Sequence, residues 1–289
     1  MNISLHHAET SLGPVSYRQA GTGRRKILFF HGFPGSSAQI SLFNRSIIDL
    51  DIEVLCFDRP GYNNTKIHTA KNIQNTLSEV LTISQELIQL KNWNQVEIVT
   101  ISGGTPYGLS LALHHPHLVS EVRVACGLGY LQNNFIRKYF SFLKLLTLKI
   151  LPQTPSFILE KIIAPQVKKT PQSAAQNKIF EIFYPRSKAD AQVSSQLHIQ
   201  QSIQLGLAEA LRQHSYGPKN DSIVFLSDWG KNLNQITVPV HFWHGTEDLV
   251  ISPHVSEVMQ QLTPDSKLTL VPQEGHLSLP IRQMNKILQ

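Results

Sequence analysis

The sequence contains no run of roughly eighteen uninterrupted apolar residues, the length a helix needs to cross a bilayer, so a spanning helix is excluded. Cysteine is nearly absent, with only Cys56 and Cys126 in 289 residues. That rules out a disulfide framework or a Cys-x-x-Cys site, and each thiol lies in a strand-like segment where it behaves as a small apolar residue. No G-x-x-x-x-G-K-[ST] occurs and no G-x-G-x-x-G follows a strand-like run, so nucleotide binding has no motif to rest on. Metal ligation is equally poorly provided for. His6-His7 and His114-His115 have neither an H-E-x-x-H spacing nor a cysteine partner, and the second pair stands where a helix ends, a place that suits positive charge. Met1–Ser16 has polar residues and histidines throughout and lacks the apolar core of a signal peptide. With the two reduced-type cysteines, this sets the expectation of a cytoplasmic location. Neither a cofactor, a metal nor a nucleic-acid partner is expected.

What is present describes a globular chain: 41% hydrophobic and 16% charged residues, long enough for one domain carrying an insertion. The net charge of +6 is unevenly placed. Residues 131–190 hold ten Lys/Arg against three Asp/Glu, and the remainder holds 16 against 17. One middle segment therefore carries the whole excess, as an inserted unit with its own surface would.

Six short runs rich in β-branched or aromatic residues read as buried strands: Lys26–Phe30, Ile52–Phe57, Val96–Ile101, Val122–Ala125, Val238–Trp243 and Lys267–Val271. Helix-length segments lie between several of them. Ile73–Leu90 places Ile73, Leu77, Val80, Leu81, Leu87 and Ile88 near a 3.6 period, and Tyr107–His114 and Val255–Leu262 follow other strands. Alternating strand and helix predicts an α/β fold with a mostly parallel central sheet flanked by helices. Such sheets gather function at the carboxyl ends of their strands. There the chain has H-G-F-P-G, D-R-P-G-Y, S-G-G-T, H-G-T-E-D and E-G-H. The alternation breaks between about Gly129 and Ser222, where prolines at 152, 155, 165, 171 and 185 punctuate helical patterns at Leu131–Leu151, Gln172–Phe183 and Ala189–Gln213. This predicts a core of residues 1–128 and 223–289 with a helical cap, 129–222, inserted between two strands.

A serine hydroxyl is a weak nucleophile and needs a base, an acid to orient that base, and donors for the oxyanion. Ser102, Asp248 and His276 follow three successive strand ends in the chain order Ser…Asp…His. Together with the five loops, this order resembles the α/β-hydrolase fold family, and in particular its cap-bearing members. H-G-F-P-G at 31–35 is similar to the family's H-G-x-P-G loop, D-R-P-G-Y at 58–62 to its D-x-x-G-x-G-x-S loop, and S-G-G-T-P-Y at 102–107 to its nucleophile elbow. The resemblance covers roughly residues 26–130 and 225–289; the cap has no specific match. It implies a serine hydrolase, carboxylesterase-like, with Ser102 as nucleophile, His276 as base and Asp248 as acid; the alternatives are the C–C bond hydrolases, lactonases, acyltransferases and cofactor-free peroxidases that share this triad, or a non-catalytic ligand- or partner-binding member of the fold. The backbone N–H groups of Phe33 and Gly103 would form the oxyanion hole. Glu247 and Asp228 are local rivals of Asp248. Asp58 follows no strand–turn–helix elbow, and a serine rather than an aspartate at 102 speaks against epoxide or halide chemistry.

Two departures stand out. Asn63 and Asn64 replace small residues of the second loop, and Thr100 occupies the position two before the serine, where the family has glycine. Side chains two before and two after the nucleophile tend to collide, so Gly104 is expected to leave the room that Thr100 needs. Within the cap, Leu131–Leu151 wound as one helix would gather Arg137, Lys138, Lys144 and Lys149 on one arc, with the rest apolar. The adopted reading is a lid packed on the core with a solvated basic face, favouring small apolar ester substrates. The alternative is contact with a membrane surface or an anionic partner.

Overall fold

A computed structural model of the chain describes residues 3–43, 49–66, 76–159 and 184–289. Eight strands form one sheet: β1 (Leu5–Thr10), β2 (Gly13–Gly21), β3 (Arg25–Phe30), β4 (Ile52–Phe57), β5 (Val96–Ile101), β6 (Val119–Ala125), β7 (Val240–Gly245) and β8 (Ser266–Val271). Their order is β1-β2-β4-β3-β5-β6-β7-β8; β2 is antiparallel to both its neighbours, β1 and β4, and every pair among β3 to β8 is parallel. The six expected strands are β3 to β8; the hairpin β1–β2 was not foreseen.

The strand residues alternate between two cores, as the pleat requires. Leu28, Phe30, Leu55, Ile98, Val122, Val124 and Phe242 pack on one face with Val80 and Leu87 of helix α1 (Thr76–Leu90) and Leu109 and Leu111 of α2 (Thr105–His114). Ile27, Phe29, Val54, Val99, Ile101 and Ala125 pack on the other, against Leu279, Met284 and Ile287 of the C-terminal helix. Burial on both faces explains why these strands read as unbroken apolar runs. Because β3 to β8 are parallel, the turns after Phe30, Phe57, Ile101, Ala125, Gly245 and Val271 all emerge at one edge. Every chemistry-bearing loop is at that edge.

Between β6 and β7 the described elements are helical: α3 (Asn134–Arg137), α4 (Phe142–Ile150), α5 (Lys188–Ser194), α6 (Leu197–Ala210) and α7 (Tyr216–Phe225), with short 3-10 turns. Helices α8 (His254–Leu262) and α9 (Ser278–Leu288) follow β7 and β8. The expected helix Gln172–Phe183 and the start of Ile73–Leu90 lie outside the described residues. The boundary expected at 222/223 falls inside α7, whose Val224 and Phe225 belong to the core. Among the described residues, no helix is long and apolar enough to cross a membrane.

The lid expectation needs correction. Leu131–Leu151 is not one helix, because Asn133 caps α3 and Ser141 caps α4, and each cap starts a new helical phase. In α4 the outward arc carries Phe142, Leu143, Leu146 and Ile150, with Phe142 80% exposed. Lys144 points inward instead, and its Nζ donates to the carbonyl of Val250 at 2.7 Å. The basic arc therefore does not exist as expected. Likewise Ala189–Gln213 divides at Ser195-Gln196 into α5 and α6.

Candidate active site

Ser102 terminates β5 and sits at φ +48° in a 3-10 turn, Ser102–Gly104, that leads directly into α2. A non-glycine residue there stores of order 1 kcal/mol of strain, which the surroundings must hold. They do so at its carbonyl, which accepts from Leu128 N at 3.0 Å and Thr105 Oγ1 at 2.8 Å. Ser102 is thus a sharp elbow with its hydroxyl held at the strand edge.

Thr100 is accommodated differently from the sequence expectation. Its methyl group lies against Gly108, one helical turn further into α2, where any Cβ would overlap it. A Cβ on Gly104 would instead run into the carbonyl of Phe30. The crossing of β5 and α2 thus brings Thr100 opposite Gly108, and the bare position that admits its side chain is six residues after Ser102. Thr100 Oγ1 is buried without a hydrogen-bond partner among the described residues.

His276 follows β8 and completes the elbow, with Nε2 3.0 Å from Ser102 Oγ and Nδ1 2.7 Å from Asp248 Oδ2. The structure brings the three expected residues into one hydrogen-bonded chain. Asp248 is buried and takes four donors. Oδ1 accepts from the N–H groups of Val250 (2.8 Å) and Ile251 (2.9 Å), and Oδ2 from His276 and His244 Nε2 (3.1 Å). Burial works against its charge, yet the positive field of His276 and the hydrogen bond from His244 hold the carboxyl well below the usual carboxylate range. Burial also opposes a charge on His276, but Asp248, seconded by Asp190 and against Lys144, raises its pKa. The rivals stand elsewhere. Glu247 is exposed, and Asp228 accepts from Tyr130 Oη at 2.9 Å.

The expected oxyanion donors are neighbours. A Cβ on Gly103 would overlap Phe33 Cβ, with Phe33 N 3.3 Å away. Only glycine allows the two loops to approach this closely. Among the described residues neither backbone N–H has an acceptor. The rings of Phe33 and Phe225 pair at 5.2 Å beside this spot and give it an apolar wall.

Behind the H-G-F-P-G loop lies a buried network that the sequence did not reveal. Arg59 Nη1 donates to the carbonyl of His31 at 2.6 Å, and its Nε donates to Asp221 of α7 at 3.1 Å. Asp221 also accepts from Tyr62 Oη (2.7 Å) and Tyr107 Oη (2.6 Å), and the guanidinium stacks on both rings. Burial disfavours the Arg59 charge, but Asp221 raises its pKa overall, so it stays protonated. Both side chains are about 1% exposed. Breaking such a pair strands a buried charge, so Asp221→Ala should lower unfolding stability by about 3–5 kcal/mol, read as a lower urea midpoint at unchanged slope. Asp58 is structural too. It accepts from Ser16 Oγ (2.6 Å), Ser37 N (2.6 Å) and Asn63 Nδ2 (2.9 Å), and Asn63 itself sits at φ +45°, which asparagine tolerates.

Among the described residues, the one cluster of three potential metal ligands is Cys126, Asp248 and His276. Its carboxylate and imidazole are already committed to each other and to Ser102. His244 opens the H-G-T-E-D loop, but within that motif nothing marks it as a donor to Asp248. Its spacing of four from Asp248 is the only signal.

An open, mostly parallel sheet with a serine elbow, an acid after β7 and a histidine after β8 defines the hydrolase class of α/β folds. A sequence model of the alpha/beta hydrolase fold matches residues 26–282, and the chain belongs to that family. No curated protein matches the sequence. Solved structures share the fold over nearly the whole chain. An esterase from Thermogutta terrifontis (malate bound) is 15% identical with a TM-score of 0.66, covering 98% of this chain and 95% of its own. The enol-lactonase from Burkholderia xenovorans is 14% identical with a TM-score of 0.62, covering 98% and 97%. A bromoperoxidase from Bacillus anthracis is 15% identical with a TM-score of 0.67, covering 99% and 97%. At such identities the likeness concerns the fold.

Proposed function

We propose that the protein is a serine hydrolase of the carboxylesterase type, acting through an acyl-enzyme on small or medium apolar esters. The single observation that carries this reading is the chain Ser102 Oγ–His276 Nε2, His276 Nδ1–Asp248 Oδ2, at 3.0 and 2.7 Å. Ser102 attacks the ester carbonyl while His276 Nε2 takes its proton. Asp248 holds the proton on Nδ1, so the free nitrogen faces Ser102, and it stabilises the imidazolium that forms. The N–H groups of Phe33 and Gly103 receive the oxyanion. The imidazolium then protonates the leaving alcohol, and water repeats the sequence to release the acid. The raised pKa of His276 suits this role, since the imidazolium must persist through the tetrahedral stage. The Phe33–Phe225 wall supports apolar acyl or alkyl groups.

An acyl-enzyme predicts a pre-steady-state burst with p-nitrophenyl esters, one nitrophenol per protein molecule, followed by slower turnover. Stopped-flow absorbance across acyl lengths tests it. Neither burst nor turnover with any ester would favour a non-catalytic ligand-binding member of the fold, and rates that fall steadily from acetate upward would count against the apolar preference.

A further inference from the structure

We infer that Asp190, carried by the helical segment between β6 and β7, is a positioning residue for His276: its carboxylate ties down the backbone of the His276 loop and so fixes the imidazole against Ser102. The inference rests on the proposed role of His276 as base. Asp190 is 86 residues away in sequence and 1% exposed. Its Oδ2 accepts from His276 N at 3.1 Å, and its Oδ1 from Leu277 N at 2.9 Å and Ser278 N at 2.8 Å.

The reason lies in the start of α9. The first N–H groups of a helix have no partner within it, and a carboxylate is the strongest acceptor for them. Here Leu277, at the N-cap position, supplies no side-chain acceptor. Asp190 supplies it from another element. The three donors belong to His276 and its two successors, so the carboxylate sets the height and rotation of the segment from which the imidazole projects. The approach is close: a Cβ on Gly275 would overlap Asp190 Oδ2 and Ser187 Oγ. Asp190 is itself held by a capping box with Ser187, whose Oγ accepts from Asp190 N at 3.1 Å. The base is thereby buckled to the segment outside the sheet.

Charge adds to geometry. The charged groups facing His276 are Asp248 from the β7–α8 loop, Asp190 from α5 and Lys144 from α4. The Cys126 thiol after β6 lies against Gly275 O at 3.7 Å, and His244 faces the far side of Asp248. Asp190 is one of two carboxylates that favour the imidazolium. Its removal should therefore move the His276 midpoint to lower pH, a change that loss of a mere helix cap would not produce.

Asp190→Asn keeps the size but replaces one acceptor oxygen by an amide N–H, which must face either His276 N–H or the pair Leu277 and Ser278. The test follows the imidazole by NMR in protein labelled at histidine, with His276 assigned from its disappearance in His276→Ala, beside steady-state ester kinetics and thermal melts. Asp190→Asn is expected to lower kcat by about ten- to a hundredfold, with KM within about twofold, and to shift the His276 titration to lower pH. Ser187→Ala breaks the same capping box but leaves the carboxylate on the loop. It is expected to lower Tm while keeping kcat and the His276 midpoint. Asp190→Glu keeps the charge but displaces it, and should keep the midpoint while lowering kcat; it decides the matter if Asp190→Asn does not fold. Wild-type kcat and midpoint in Asp190→Asn, wild-type kcat in Asp190→Glu, or a Ser187→Ala variant that reproduces the full loss would each overturn the inference. A wild type that turns over no ester would sink the proposed function, while the NMR titration would still decide the role of Asp190.

Discussion

Ser102→Ala should reduce kcat for a p-nitrophenyl ester by about 10⁶-fold. The alanine keeps the elbow backbone and removes only the atom that attacks. The Ser102 hydroxyl is hydrogen-bonded to His276, and the strained turn is held through the Ser102 carbonyl. Folding stability should therefore stay within about 0.5 kcal/mol of wild type, as for a substitution that leaves no buried group stranded. His276→Ala should fall to a similar floor, and the double variant should fall no further, because the two side chains act as one unit. What survives in each is the contribution of the oxyanion donors and of binding, about 10³–10⁴ over the reaction in water.

Asp248→Asn should cost about 10⁴-fold in kcat with little change in KM. An asparagine would place its oxygen where Val250 N and Ile251 N demand an acceptor, at 2.8 and 2.9 Å. Its amide N–H would then point at His276 Nδ1. That nitrogen must become an acceptor, and the ring proton moves to Nε2, toward Ser102. The base is then present but cannot take the proton. The same substitution changes acid stability. Because the folded carboxyl sits below its ordinary range, its ionised form contributes stability at neutral pH. That contribution declines as pH falls below the ordinary carboxylate range toward the depressed value. Asp248→Asn should lower stability at neutral pH and flatten this acid-side slope, as read by urea unfolding at a series of pH values.

Much of the core was legible because burial on both faces turns each parallel strand into an apolar run that stops at its functional loop. Ser102, Asp248 and His276 could be placed in the sequence because each stands just beyond such a run. The hairpin β1–β2 escaped because an edge strand such as L-H-H-A-E-T carries exposed polar residues and no run. The break between α3 and α4 escaped because a single capping serine outweighs a periodic pattern that continues across it. The partners of Thr100, Arg59 and His276 were hidden for a third reason. Gly108 is decided by how a helix crosses a strand, and Asp221 and Asp190 reach their partners across 162 and 86 residues. A buried carboxylate in an inserted segment looks in sequence like any surface acid.

The proposed function stands or falls with Ser102 as an activated nucleophile. Incubation with a fluorophosphonate, followed by intact-mass measurement and peptide mapping, tests it directly. A single adduct on the peptide containing Ser102 is expected, formed in the wild type and absent from Ser102→Ala. An adduct that persists in Ser102→Ala, or a wild type that stays unlabelled while folded, would contradict it.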